Sequence, residues 1–421
     1  MKLQSLTLLF IFQFGSWAHG QSNIAPKKIT FSDLPTLVRE KNEKVRASEI
    51  AVSAAQMRTG YLHRSFLPGL NLKAGSESAT LGSASAEQRN FWGAEATMNI
   101  YRGGRDKLEE KIRESKTTQL QAESDRDYHT ELRDARKTYW RLVANKNNLV
   151  ELETALKDNE QNIQSAKRRS GAGVATNADA VQFELEKTLI IQQIKKLRVE
   201  QDALSNRLAI AIAYDDHENM ELNDSFAHPP ESLPVTSNSD TQNPDIKILE
   251  QEHQSHSLKK DQTGRWWIPS LDIYTTYRRP SFLESDTRAL AKENEWVSGI
   301  QLSMSIGQGL EDYATKRAQE LEIQSTSQKL AYAKRFADAT EHDLTHDLKL
   351  IHELIHAADN DVERAANFLK LTKTEYSRGV KNGPDLQDAF SKFYEFKNRR
   401  TELYRLFYEA EADLNYLIGS K

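Results

Sequence analysis

The sequence predicts a mainly α chain with a small β part: long antiparallel α-helical hairpins joined to four amphipathic strands. Three observations predict it. Two segments of roughly 70 residues carry apolar side chains at coiled-coil spacing. Four short stretches alternate apolar and polar residues at period 2. The whole order then occurs twice: Pro68 to Pro269 is 201 residues, and Met98 to Met304 and Gly173 to Gly379 are both 206. Local propensity alone would not hold that spacing, so the chain is a duplication.

Composition narrows the function classes. The 421 residues are 28% charged and 38% hydrophobic, with a mean hydropathy of −0.69. Most of the chain therefore expects water on at least one face. The absence of Cys excludes disulfides, thiolate metal sites, cysteine nucleophiles and a lipid on an amino-terminal Cys. A net charge of −4 argues against nucleic acid as a partner. Only 18 Gly and 10 Pro exclude collagen-like and disordered chains.

Residues 1–20 read as a secretory signal. Lys2 supplies the positive start, Leu6 to Phe14 the short apolar core, and Ala18 and Gly20 the small residues before Gln21. No later apolar run is long enough for a transmembrane helix, which leaves a β-barrel as the way to span a membrane.

The first repeat is read as 21–214. It is helical from about Thr30 to Phe66 and stops at Leu67-Pro68-Gly69. Strands follow over 70–101, where Ala94, Ala96, Met98 and Ile100 alternate with Glu95, Thr97 and Asn99. Gly103-Gly104 ends the second strand. A helix then runs to about Ser170, some 67 residues or roughly 100 Å. A turn over Gly171 to Asn177 leads into a helix reaching Tyr214. Residues 215–243, with His228-Pro229-Pro230 and Leu233-Pro234, read as a linker. The second repeat, 244–421, runs a helix to Ile268-Pro269. Leu271, Ile273, Thr275 and Tyr277 form one alternating set, and Ile300, Leu302, Met304 and Ile306 the other. A long helix follows to about Tyr376, then a turn over Gly379 to Pro384 and a last helix to about Ile418.

Each repeat supplies two strands, so one chain supplies four. Four strands cannot close a barrel, and an open sheet with an apolar face aggregates. Other copies must complete it, and a trimer gives 12 strands, an even number that closes. Phe91, Trp92 and Trp296 on the loop side, with Trp266 and Trp267 on the helix side, fit two interfacial girdles. The inter-strand loops, about 83–90 and 280–295, are polar.

These landmarks resemble the outer membrane efflux protein family, the TolC-like channels, over nearly all of the chain after residue 20. The carriers are Asn42 and Asn243-Pro244-Asp245-Ile246 at helix starts, Leu67-Pro68 and Ile268-Pro269 before strands, and Ile100-Tyr101-Arg102-Gly103-Gly104-Arg105 after the second strand. Two positions depart from the pattern: Glu43 stands where Pro is usual, and Gly307-Gln308-Gly309 is a poor copy of the Gly-Gly motif. The resemblance implies hairpins forming an α-barrel and a homotrimer whose 12-stranded transmembrane β-barrel sits in outer-membrane lipid. It implies a passive conduit without a cofactor, for efflux or type I secretion. Its partners would be a periplasmic adaptor and an inner-membrane pump or ABC transporter.

By the same resemblance, Gly173, Val174, Gly379 and Val380 are the adaptor-docking tips. Asp385 and Asp388 would form acidic rings at a periplasmic aperture that attract cations. Tyr376 and Lys381 match residues that tether neighbouring turns shut, with Asp179 as acceptor. Lys381 stands where Arg is expected, so a bidentate clamp is lost.

One motif points elsewhere. His352-Glu353-Leu354-Ile355-His356 reads as HExxH on a helix, with two His on one face and a Glu that could serve as general base. The zincin continuation with Gly and a third His is missing, and the segment lies inside a long solvated helix. The reading is therefore not an enzyme and has no metal site. His342 and His346 lie upstream, so incidental metal adhesion is conceivable. A periplasmic coiled-coil adaptor is the other alternative, but adaptors usually pair one hairpin with compact β domains.

Overall fold

The computed structural model describes residues 27–79, 87–173, 177–215, 220–229, 243–282, 294–304 and 306–419. The expected signal segment 1–20, most of the expected linker, residues 80–86 and 283–293 of the inter-strand loops, and Val174 lie outside the described residues.

The chain is mainly helical with a small β part. A short strand β1 (Lys27–Ile29) leads to α1 (Leu34–Lys41) and α2 (Glu43–Gln56). Asn42 separates the two helices because its side chain caps the second: Oδ1 accepts from Lys44 N–H at 3.0 Å and Val45 N–H at 3.1 Å. Its counterpart Asn243 caps α6 (Pro244–Thr263) through Asp245 and Ile246 in the same way. The repeated Asn is thus a repeated helix start.

A single turn, α3 (Tyr61–Ser65), precedes the strands β2 (Gly69–Ala79) and β3 (Glu87–Tyr101). Gly103 and Gly104 take φ of +64° and +72°, and a Cβ on Gly103 would lie 2.7 Å from Ile268. Only Gly fits both the left-handed backbone and that contact. The chain then enters α4 (Arg105–Gly171), 67 residues long, and returns as α5 (Asn177–Ala211). In the second repeat, β5 (Ser270–Phe282) and β6 (Glu295–Ser303) precede α7 (Ile306–Ser377), 72 residues, and α8 (Gly383–Leu417). The expected alternation through Ile306 stops early. Strand β6 ends at Ser303 and Ile306 already opens α7, where Ile306, Leu310 and Tyr313 follow the helical period.

The four long strands form one antiparallel sheet in the order β2-β3-β5-β6. Its register sorts the side chains into two faces. Leu72, Ala94, Tyr277 and Trp296 lie in one row across all four strands, and Met98, Ile273 and Ile300 share that face. The alternate rows carry Asn71, Glu95 and Thr276, then Lys73 and Arg278, then Asn99, Asp272 and Gln301. The polar face is knit by Lys73–Glu95 at 2.5 Å and Asn99–Asp106 at 2.8 Å. The apolar face is open: Leu72 is 80% exposed and Trp296 70%.

Trp92, Tyr277 and Trp296 form a continuous aromatic band at its loop end, with ring centres 5.7 and 5.3 Å apart. Phe91 does not join this girdle. Period 2 turns it to the polar face, where the Arg278 guanidinium lies 4.1 Å from its ring centre.

The helices bury narrow stripes. Leu34, Val38, Leu132, Tyr139 and Leu208 join α1, α4 and α5, while Leu348, Ile355, Leu403 and Phe407 join α7 to α8. Part of the expected linker is ordered across them. A strand β4 (Met220–Leu222) pairs parallel with β1, and Asp224 accepts from Tyr139 Oη and Phe31 N, both at 2.6 Å. Phe226 stacks on Trp140 at 5.5 Å. Its Pro-rich surroundings conceal this, because the contacts are all to distant segments.

Candidate functional site at the hairpin turns

The two hairpin turns share one construction. Helix α4 closes with Ala172 N–H on the Arg168 carbonyl, and Gly173 follows at φ +72°. Helix α7 closes with Val380 N–H on the Glu375 carbonyl, around Gly379 at φ +79°. Gly in the left-handed region just past a helix end is the usual stop. Val380 stands 73% exposed at the second turn, an apolar side chain offered to solvent.

Below the turns the four helices pack on one another. Tyr376 is buried among Ile163, Ala166, Ala180, Phe183 and Leu386. The Arg169 guanidinium lies 4.2 Å from its ring centre and donates to its backbone oxygen. Burial pushes the Tyr376 hydroxyl pKa up, and the neighbouring Arg169 charge opposes that shift. Asp179, in the first turn of α5, lies against Gly383 so closely that a Cβ there would fall 2.5 Å from its carboxyl carbon. Two of the expected residues, Tyr376 and Asp179, lie at the junction of the two hairpins, but the buried Tyr376 hydroxyl has no hydrogen-bond partner among the described residues, so Asp179 does not accept from it.

The other three do not enter that junction within one chain. Lys381 lies exposed on the turn. Asp385 caps its own helix, forming with Asn382 a reciprocal pair at the start of α8, at 3.0 and 3.3 Å. Asp388 pairs with Lys392 one turn on, at 2.8 Å. Both carboxylates remain on the outside of α8 near its start, where the helix dipole favours negative charge.

Arg169 carries no distinguishing signal in the sequence. It stands in a basic run with Lys167 and Arg168, which suits any helix carboxyl end, and only packing singles out the side chain that covers Tyr376.

The HExxH segment lies on α7. His352 and His356 have ring centres 4.8 Å apart, while Glu353 is exposed. Among the described residues, no three His, Asp or Glu side chains are arranged to hold a metal ion.

No known protein-family description matches the chain, and no curated sequence does. Solved structures do. The Campylobacter jejuni CmeC outer membrane channel superposes with a TM-score of 0.80 at 15% identity, over 92% of this chain and 85% of that one. The outer-membrane channel OprN gives 0.79 at 13% identity, over 93% and 90%. The open state of the Neisseria gonorrhoeae MtrE outer membrane channel gives 0.73 at 15%, over 93% and 89%. With its doubled strand pairs, its long hairpins and this likeness over nearly the whole chain, the protein has the fold of the TolC-like outer-membrane efflux channels.

Proposed function

We propose that this chain is an outer-membrane export duct, working as a homotrimer. The observation that carries the reading is the four-stranded sheet. It has one exposed apolar face bearing an aromatic band, one polar face, and two edges, β2 and β6, that await partners. Water would not tolerate that face, and hydrocarbon would not tolerate those edges unless a barrel closed them. Three copies give 12 strands, and the polar rows then line a lumen continuous with a helical conduit.

The duct carries no chemistry of its own and is passive. A periplasmic adaptor docks at the turns of Gly173, Val174, Gly379 and Val380, and an inner-membrane pump or ABC transporter supplies energy. At rest, Tyr376 and Asp179 hold the two hairpins together within each chain while exposed Lys381 reaches toward the neighbouring copy. Asp385 and Asp388 ring the aperture and favour cations.

Detergent extraction followed by native mass measurement and planar-bilayer recording tests the reading. The expected result is a detergent-requiring trimer that conducts, with higher conductance when Tyr376→Ala and Lys381→Ala are combined. A monomer soluble without detergent would overturn the duct, and unchanged conductance in the double variant would overturn the gate.

A further inference from the structure

A histidine cluster lies away from the hairpin turns. His356 stands 20 residues before Tyr376 on α7, about 30 Å along the helix. It meets two other imidazoles. His352, one turn earlier, has its ring centre 4.8 Å away, and His228, from the crossing segment 220–229, has its ring centre 4.9 Å away.

Two of the three ring pairs have separations that coordination allows; His228 and His352 make no ring contact with each other. With metal–nitrogen bonds of about 2.0–2.1 Å and ring centres roughly 1.1 Å behind the nitrogens, two neighbouring imidazoles on one tetrahedral or square-planar ion have centres about 4.5–5.3 Å apart. Both pairs fall in that window. His352 Nε2 is buried with no hydrogen-bond partner among the described residues, so that nitrogen has an unused lone pair or proton. His228 and His356 are exposed, which gives an ion a way in and lets their rings turn. The three rings do not yet surround one point, so closure needs that rotation. The Asp359 carboxylate, three residues after His356, is engaged by Arg400 at 3.7 Å and by Tyr404.

We propose that His228, His352 and His356 bind one divalent transition-metal ion of the imidazole-preferring class, Zn²⁺, Ni²⁺ or Cu²⁺, with water completing its shell. The ion staples the 220–229 segment to α7. Hard ions such as Mg²⁺ and Ca²⁺ are not taken, since they demand oxygen ligands.

The test is calorimetry on the full-length protein in detergent, titrated with Zn²⁺ and separately with Ni²⁺. Wild type is compared with His228→Gln, His356→Gln and, as a control, the doubly substituted His342→Gln/His346→Gln. The expected result is one saturable ion per chain at micromolar affinity. That affinity should weaken about tenfold or more in either single variant and hold in the control. Amide exchange in 220–229 should slow with Zn²⁺ in the wild type, a readout that needs no variant to fold. No saturable binding, wild-type affinity in His228→Gln, loss in the control, or unchanged exchange in 220–229 would each overturn the site.

Discussion

The Arg169 guanidinium lies over the Tyr376 ring, 4.2 Å from its centre, and donates to the Tyr376 carbonyl. It ties the last turn of α4 to the last turn of α7. A guanidinium on a shielded aromatic face contributes about 1–2 kcal/mol, and the helix-end carbonyl adds to it. Arg169→Ala should therefore loosen the hairpin junction and raise single-channel conductance in a planar bilayer. Arg169→Lys should fall between the two, because an ammonium cannot stack and bridge at once. Equal conductance in all three proteins would show that this contact does not hold the mouth.

The four-stranded sheet has a point of close approach at Gly93. A Cβ there would lie 2.4 Å from the Tyr277 backbone oxygen, and backbone cannot swing aside as a side chain can. Gly93→Ala should cost about 1–3 kcal/mol and separate β3 from β5 locally. Assembly into a heat-resistant oligomer on a semi-native gel should be reduced, whereas Gly75→Ala, which meets only the Phe91 ring at 3.0 Å, should assemble.

The crossing segment hangs on Asp224, which accepts from Tyr139 Oη and Phe31 N. Asp224→Ala takes the acceptor from the part-buried Phe31 amide and leaves the phenol only the Ile29 carbonyl at 3.2 Å, at a cost of about 1–2 kcal/mol. Asp224→Asn keeps one acceptor and should lose less. Chemical denaturation followed by fluorescence of Trp140, which stacks against Phe226 in this segment, measures both. Identical midpoints for wild type and Asp224→Ala would mean that the segment contributes nothing to the fold.

Acid should weaken the seam between α4 and α8. Burial alone would push the Glu409 pKa up, but bonds from Arg141, at 2.8 and 3.1 Å, and from Arg405 outweigh it and hold the carboxyl below its usual range. A depressed folded-state pKa gives stability that is present above the unfolded value, about 4.3, and lost as pH falls through the folded one. Glu409→Gln should melt below wild type at pH 7, by about 2 kcal/mol, and the two curves should converge toward pH 3. A gap that persists at pH 3 would assign the effect to packing instead of charge.

Much of the architecture is legible in the sequence because it rests on periodicity. The alternation of Ala94, Ala96 and Met98 against Glu95, Thr97 and Asn99 names the two sheet faces before any pairing is known, and the observed register keeps them apart. Asn42 and Asn243, landmarks of the repeat, are caps whose oxygens accept two backbone amides each. Tyr376 and Asp179 are named by resemblance, and both lie where the hairpins join, without a hydrogen bond between them. Phe91 falls on the other face from the one expected, because its parity along β3 outweighs its nearness to the loop.

What the sequence by itself determined is what depends on neighbours along the chain: helix and strand period, the stops at Gly103-Gly104, Gly173 and Gly379, and the doubling of the whole pattern. What only the tertiary structure decided is which distant groups touch. Arg169 was chosen over Lys167 and Arg168 by the position of Tyr376, 207 residues on. Segment 220–229 gained a strand because β1 lay beside it, and His228 reached His356 because α7 passed beneath. Such contacts carry no period, since their energy comes from burial and directed bonds between parts of the chain that only folding brings together.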